Sequence, residues 1–102
     1  MSDMYILNAK REAVPADLGQ WGAWVAEEDK RRVGDTTVGA SRVSTVFLGL
    51  DHQFGEGPPL LFETMVFGGS LDEEQVRYST WQEAEKGHEE MVARVRETEG
   101  AA

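Results

Sequence analysis

The segment from Thr36 to Ser79 constrains the fold more than any other part of the chain. It consists of short stretches rich in valine, threonine, phenylalanine and tyrosine, and glycine-rich breaks separate these stretches. This pattern is typical of antiparallel strands joined by turns. We predict strands near residues 36–39, 42–50, 60–67 and 74–79, with connections short enough for hairpins. An apolar run at residues 5–7 predicts a further, edge strand.

A helix is predicted on the N-terminal side of these strands. Asp17 and Gln20 have the spacing of a capping box, which places the helix from about Leu18 to Asp29. The charged run at residues 27–32 breaks the apolar pattern, and Gly34 with Asp35 indicates a turn.

A second helix is predicted on the C-terminal side. Thr80 and Glu83 repeat the capping-box spacing, and apolar residues recur at helical intervals from about Trp81 to Glu97. The predicted fold class is therefore α+β, an antiparallel β-meander of about four strands with an N-terminal helix and a C-terminal helix packed on the sheet. A chain of 102 residues forms a single domain, residues 1–102.

Charge and cysteine content exclude several classes of function. Ten Lys and Arg against 19 Asp and Glu give a net charge of -9, which opposes binding to duplex nucleic acid or to an anionic membrane. The absence of cysteine excludes disulfides and Cys-ligated metals and fits a reducing compartment. The N-terminus lacks the pattern of a signal peptide, so we predict a cytoplasmic protein.

The two central predicted strands carry apolar residues on both faces. In one register Val46, Leu48, Leu50, Phe62 and Val66 point one way and Val43, Phe47, Leu61, Met65 and Phe67 the other. Two helices cannot cover both faces of such a sheet completely. This predicts a homo-oligomer, most simply a dimer.

The candidate ligand-binding residues cluster in and around the strands. Arg42 and Arg77 are cations within apolar strands, so each must be paired, exposed or bound to a ligand. One interpretation is an internal ion pair with Glu63, and the other is a pocket that holds an anionic group such as phosphate. The predicted ligand-binding set is Arg42, Ser44, Asp51, His52, Phe54, Arg77 and Tyr78.

The two histidines are the candidate catalytic groups. His52 follows Asp51 at a strand end, where the pair is either a base with its orienting carboxylate or an exposed histidine beside a turn-capping aspartate. His88 lies on the apolar stripe of the last helix, next to Gly87, and is either a hydrogen-bonded core residue or a catalyst. Gly87 itself indicates a close approach of the helix to the sheet. Metal-ligand spacing is absent, so no metal and no cofactor are expected.

Two segments carry a family resemblance. Residues 44–69 (STVFLGLDHQFGEGPPLLFETMVFGG) and residues 77–88 (RYSTWQEAEKGH) are similar to a family of small uncharacterised proteins encoded by phages and prophages of actinobacteria. The resemblance covers roughly the last two thirds of the chain. It implies a phage accessory protein that acts on host machinery, and it implies no activity or catalytic residue.

Three functions follow as expectations. The first is a non-enzymatic accessory protein in the host cytoplasm that binds a small anionic ligand and sequesters a nucleotide-type host immune signal. The second is a metal-independent phosphodiesterase that cleaves such a signal, with His52 and His88 as acid and base. The third is an inhibitor whose acidic surface binds a basic host protein.

Overall fold

The computed structural model describes residues 4–52 and 56–100, and within them it contains a four-stranded sheet, a small hairpin and three helices. The elements in chain order are β1 (Tyr5–Leu7), β2 (Ala13–Pro15), α1 (Leu18–Val25), α2 (Glu28–Arg31), β3 (Arg32–Val38), β4 (Ser41–Phe47), β5 (Phe62–Phe67), β6 (Gln75–Tyr78) and α3 (Trp81–Gly100). The large sheet has the antiparallel order β3-β4-β5-β6, and β1 pairs with β2. The predicted α+β fold with a four-stranded meander is confirmed.

The large sheet has a buried inner face and an exposed outer face. In β4 and β5 alternate residues are buried, and the register pairs Val43 with Val66, Thr45 with Thr64 and Phe47 with Phe62. These pairs lie on the inner face, where α3 packs. The remaining side chains of the two strands point to the outer face, so the sheet separates a core from a surface.

The core consists of two clusters on the inner face. One lies under the second half of α3 and contains Val43, Val66, Met91, Val92 and Val95. The other lies under the start of α3 and contains Leu7, Phe47, Leu61, Phe62, Trp81 and Ala84, with Trp24 packed against it. The hairpin and α1 therefore cover the part of the inner face that α3 leaves open.

The N-terminal prediction needs three corrections. The capping box at Asp17 is present, but α1 ends at Val25 and the short helix α2 follows it. Strand β3 begins at Arg32, four residues before the predicted start, so Gly34 and Asp35 lie within a strand instead of a turn. Strand β2 was not predicted at all. On the C-terminal side the predicted capping box of Thr80 and Glu83 is present, and α3 extends to Gly100.

The predicted assignment of apolar residues to two faces is wrong. Val46 pairs with Glu63 on the outer face, whereas Phe62 and Val66, which were grouped with Val46, are buried on the inner face. The outer face therefore mixes apolar and charged side chains. Strand β4 also ends at Phe47, before the predicted limit at residue 50.

Within the described ranges, no helix combines the length and the apolar character that crossing a membrane requires.

Candidate functional site

Arg42 lies on the outer face and is paired with a carboxylate. Its Nε and Nη2 donate to the two carboxylate oxygens of Asp35 at 3.0 and 2.7 Å, a bidentate geometry that is among the stronger ion-pair arrangements. The hydrogen bond from Arg42 lowers the pKa of the Asp35 carboxyl. The guanidinium also lies 5.8 Å from the ring centre of Phe67.

Arg77 lies on the same face and is paired as well. Its Nε donates to Glu63 Oε2 at 3.1 Å, and Gln75 donates to the same oxygen. The internal Glu63–Arg77 pair that the sequence offered as one interpretation is therefore present. Ser44 lies between the two ion pairs, opposite Asp35 on one side and Met65 on the other.

The other predicted binding residues lie elsewhere. The Tyr78 hydroxyl donates to Thr64 Oγ1 on the inner face, so Tyr78 and Arg77 point to opposite sides of the sheet. Asp51 Oδ1 accepts a hydrogen bond from the backbone N–H of Leu60, which is the turn-capping arrangement. His52 is half-buried in the same loop, and Phe54 lies outside the described residues. The predicted set is thus divided among several places, and its role in binding stays a prediction.

His88 belongs to a chain of hydrogen bonds that crosses all four strands beneath α3. Its Nε2 lies 2.9 Å from Thr36 Oγ1 on β3, and its Nδ1 lies 2.7 Å from Thr45 Oγ1 on β4. Thr45 Oγ1 lies 2.6 Å from Thr64 Oγ1 on β5, which accepts from Tyr78 on β6 at 3.1 Å. We call this chain the polar network: Thr36, His88, Thr45, Thr64 and Tyr78.

The direction of the hydrogen bonds in the polar network favours a neutral imidazole. Tyr78 donates to Thr64, so Thr64 can donate to Thr45, Thr45 to Nδ1, and Nε2–H to Thr36. A proton on Nδ1 would make Thr45 an acceptor and leave one threonine hydrogen, that of Thr45 or of Thr64, without an acceptor in the network. Burial lowers the pKa of His88 and raises that of Tyr78, which agrees with both groups being uncharged.

The two histidines do not form an acid–base pair. Both ring nitrogens of His88 are engaged by threonines. The backbone of His52 bonds to Leu60, which precedes Thr64 by four residues, or roughly 13 Å along an extended strand. The core interpretation of His88 is therefore confirmed, and no hydrogen bond among the described residues joins His88 to His52, so the phosphodiesterase hypothesis stays a prediction.

A separate cleft is a second candidate binding site. It lies where the β1–β2 hairpin, the α1–α2 region and the start of α3 meet, and it has a volume of about 440 Å³. This size is within the usual range for a small-molecule site. The cleft, called here the basic cleft, is lined by Leu7, Asn8, Ala9, Arg11, Trp24, Asp29, Lys30, Arg32 and Trp81.

Two tryptophans form rigid walls of the basic cleft. Trp24 packs edge-on against Phe47 with ring centres 5.4 Å apart, and Trp81 packs edge-on against Phe62 at 6.2 Å. Both rings are therefore anchored in the aromatic core. Trp81 Nε1 is buried and has no hydrogen-bond acceptor within the described part of the chain.

The turn between β1 and β2 places Arg11 over Trp81. Its guanidinium carbon lies 4.5 Å from the centre of the Trp81 ring, and its backbone is left-handed, with φ of 63°. Asn8 holds this turn, because its Oδ1 accepts from the N–H groups of Lys10 and Glu12 at 2.9 and 3.0 Å. A left-handed arginine costs about 1–2 kcal/mol, and such strain clusters at functional sites.

The basic cleft carries positive charge on a strongly acidic protein. Arg11, Lys30 and Arg32 line it against a single lining carboxylate, that of Asp29. Asp29 Oδ1 lies 3.4 Å from Arg32, and Glu27 pairs with Lys30. Among the described residues no carboxylate lies within 4 Å of Arg11 in an ion pair, and the neighbouring Glu12 accepts from the Asn8 amide instead. Arg11 is thus available to an anion.

Sequence reasoning missed the basic cleft, although a signal was present. Half of the ten basic residues fall at two places in the first third of the chain, Lys10 with Arg11 and residues 30–32. The second group was interpreted only as the end of a helix. Charge counted along the sequence does not show that the two groups meet in space.

A metal centre is not part of either arrangement, since residues 4–52 and 56–100 contain no cluster of three or more potential ligands. Comparison with known proteins finds no family model that matches the chain, no similar curated protein and no similar solved structure. The resemblance to a phage family therefore stays a prediction, and the functional argument depends on the geometry alone.

Proposed function

We propose that the protein binds a small ligand that combines an anionic group with a flat ring, as a nucleotide does, in the basic cleft. The observation that carries this proposal is Arg11, whose guanidinium carbon lies 4.5 Å from the Trp81 ring centre and whose backbone is left-handed. A guanidinium has several N–H donors, and those not directed at the ring can bind phosphate or carboxylate oxygens.

The rest of the cleft fits the same class of ligand. Lys30 and Arg32 also line the cleft, each beside one carboxylate, and Trp24 offers an aromatic surface for a base. This keeps the ligand class expected from the sequence and moves its site from Arg42 and Arg77 to Arg11. Arg42 and Arg77 already form ion pairs with carboxylates, so an anion would have to displace Asp35 or Glu63 there.

The proposal also covers turnover of the ligand, the biological setting and the oligomeric state. We propose binding without turnover, because both nitrogens of His88 are engaged in the core. In the host cytoplasm such binding would sequester a nucleotide-type immune signal, as the phage resemblance implies. We include a homodimer in this proposal, because Phe67 on the outer face of the sheet is exposed and Val46 and Met65 beside it are half-buried.

Thermal denaturation with a matched ligand panel tests the proposal. Adenosine 5′-monophosphate, ADP-ribose and cyclic dinucleotides are compared with adenosine and with inorganic phosphate. A ligand at about 100 times its dissociation constant stabilises the folded state by about 2.7 kcal/mol. We expect a raised Tm with at least one nucleotide and a much smaller change with adenosine or phosphate alone.

Two sets of variants assign the site. Arg11→Asn removes the charge but keeps a residue that tolerates the left-handed backbone, and we expect it to weaken nucleotide binding by about tenfold or more. Arg42→Ala and Arg77→Ala change the predicted alternative site and should bind like the parent protein. Unchanged binding by Arg11→Asn, or no Tm change with any anionic ligand, would overturn the proposal.

A further inference from the structure

The outer face of the sheet consists of a short apolar row between ionised side chains. Val46, Met65 and Phe67 supply the apolar surface, and 49% of Phe67 is exposed. Four ionised side chains alternate in sign across the four strands: Asp35 on β3, Arg42 on β4, Glu63 on β5 and Arg77 on β6. The helix α3 and the hairpin both pack on the inner face, so neither covers this surface.

The electrostatics of this surface differ from those of the molecule as a whole. The four charges paired within the outer face sum to zero, and Arg32, the register partner of Val46, adds one positive charge at its end, whereas the whole chain carries -9. Two copies of the chain therefore repel one another over most of their surfaces and least through this face. The four charges are also already paired within the sheet, so burying the face leaves no ion without a partner.

We propose that the outer face is the surface through which two copies of the chain associate, sheet against sheet. Met65 and Ser44 are register partners at the centre of the face, where a long and a small side chain lie side by side. Such an alternation suits the interdigitation of two packed sheets. This proposal does not depend on ligand binding in the basic cleft, because Arg11, Trp24 and Trp81 of the cleft are not part of the outer face.

The size of the face sets the expected strength of association. Four strands spaced at about 4.8 Å and about six residues in length give a plan area of roughly 400 Å² per copy. Stable interfaces bury about 800 Å² of accessible surface per partner, so this one is small. We expect a concentration-dependent dimer with a dissociation constant in the micromolar range.

Analytical ultracentrifugation of a matched pair of variants tests the proposal. Phe67→Lys places a charge on the outer face, and Val76→Lys places the same charge on an exposed apolar residue, 39% exposed, whose strand position faces the other side of the sheet. We expect the average mass of the parent protein to rise above the 11.3 kDa of one chain as the concentration increases. Phe67→Lys should weaken association by about tenfold or more, and Val76→Lys should not.

Cross-linking provides a second readout that does not depend on a destabilising substitution. The chain has no cysteine, so Ser44→Cys introduces a single thiol at the centre of the face. A bis-maleimide should link two copies through Ser44→Cys, and the control Glu89→Cys on the exposed side of α3 should remain uncoupled.

Three results would overturn the proposed surface. They are a monomer at every concentration up to about 1 mM, equal effects of Phe67→Lys and Val76→Lys, and cross-linking of Glu89→Cys alone. The ligand proposal fails separately, because Arg11→Asn should dimerise normally and Phe67→Lys should still bind nucleotide.

Discussion

Gly22 and Gly87 both lie within helices, but only Gly87 is in close contact with another part of the chain. A Cβ atom on Gly87 of α3 would lie 2.2 Å from the Tyr78 ring, whereas a Cβ on Gly22 of α1 meets nothing within 4 Å. The missing side chain at Gly87 lets Tyr78 pass under α3 and reach Thr64. Gly22 has no such neighbour, so its cost to the helix is not offset by a close contact.

Alanine substitutions at these two glycines should change stability in opposite directions. Gly22→Ala should raise the free energy of unfolding by about 0.5–1 kcal/mol, since alanine is the better helix former. Gly87→Ala should lower it by about 1–3 kcal/mol, because the ring must move in a packed core. Urea denaturation measures both. A stabilising Gly87→Ala would contradict the contact with Tyr78.

Single residues also show which features can be predicted from the sequence and which cannot. The close approach at Gly87 was predicted from the sequence, the core role of His88 was one of two interpretations, and the structure confirms both. Gly34 was interpreted as a turn, yet it lies in β3 directly beneath the His88 ring, 2.8 Å from where its Cβ would be. Its partner is 54 residues away in sequence, so no local pattern could reveal the reason for that glycine.

Helices and strands were predicted accurately where the signal comes from residues that are close in sequence. Helix α3 and its Thr80 capping box depend on neighbouring residues and were predicted well. The faces of β4 and β5 were not, because Thr45 and Thr64 are polar in the sequence but buried in the sheet. They are buried because they satisfy one another and His88, a property that depends on strand register.

The polar network makes the attachment of α3 to the sheet sensitive to pH. Because burial lowers the pKa of His88, the unfolded chain binds a proton more readily than the folded protein does. The contribution to stability is complete above the unfolded value of about 6.5 and is lost as the pH falls through the lower folded value. The charges of Asp35 and Glu89 raise the pKa of His88, but burial, which lowers it, has the larger effect.

Denaturation between about pH 5 and pH 7.5 checks this dependence. The free energy of unfolding should decrease toward acid, and part of that slope should disappear in His88→Gln, which cannot titrate. His52→Gln serves as the matched control for the substitution itself, because His52 lies outside the polar network. The same slope in His88→Gln as in the parent would contradict the assignment.

For the whole molecule, the net charge of -9 separates the two proposed interactions. Over the full surface like charges repel a second copy, whereas the basic cleft attracts anions locally. Screening by salt weakens both effects. Added salt should therefore strengthen self-association and weaken ligand binding. This expectation follows from the net charge together with the positions of the cations in the structure.

Raising NaCl from about 0.05 M to about 0.5 M should tighten self-association and weaken nucleotide binding. The dimer gains because screening removes repulsion between two acidic chains, while the paired ions of its interface have little net charge to screen. The nucleotide loses because its attraction to Arg11, Lys30 and Arg32 is screened. Sedimentation and calorimetric titration of the same samples measure the two constants. Weaker self-association in high salt would show that unpaired opposite charges, rather than the nearly neutral outer face, hold the copies together.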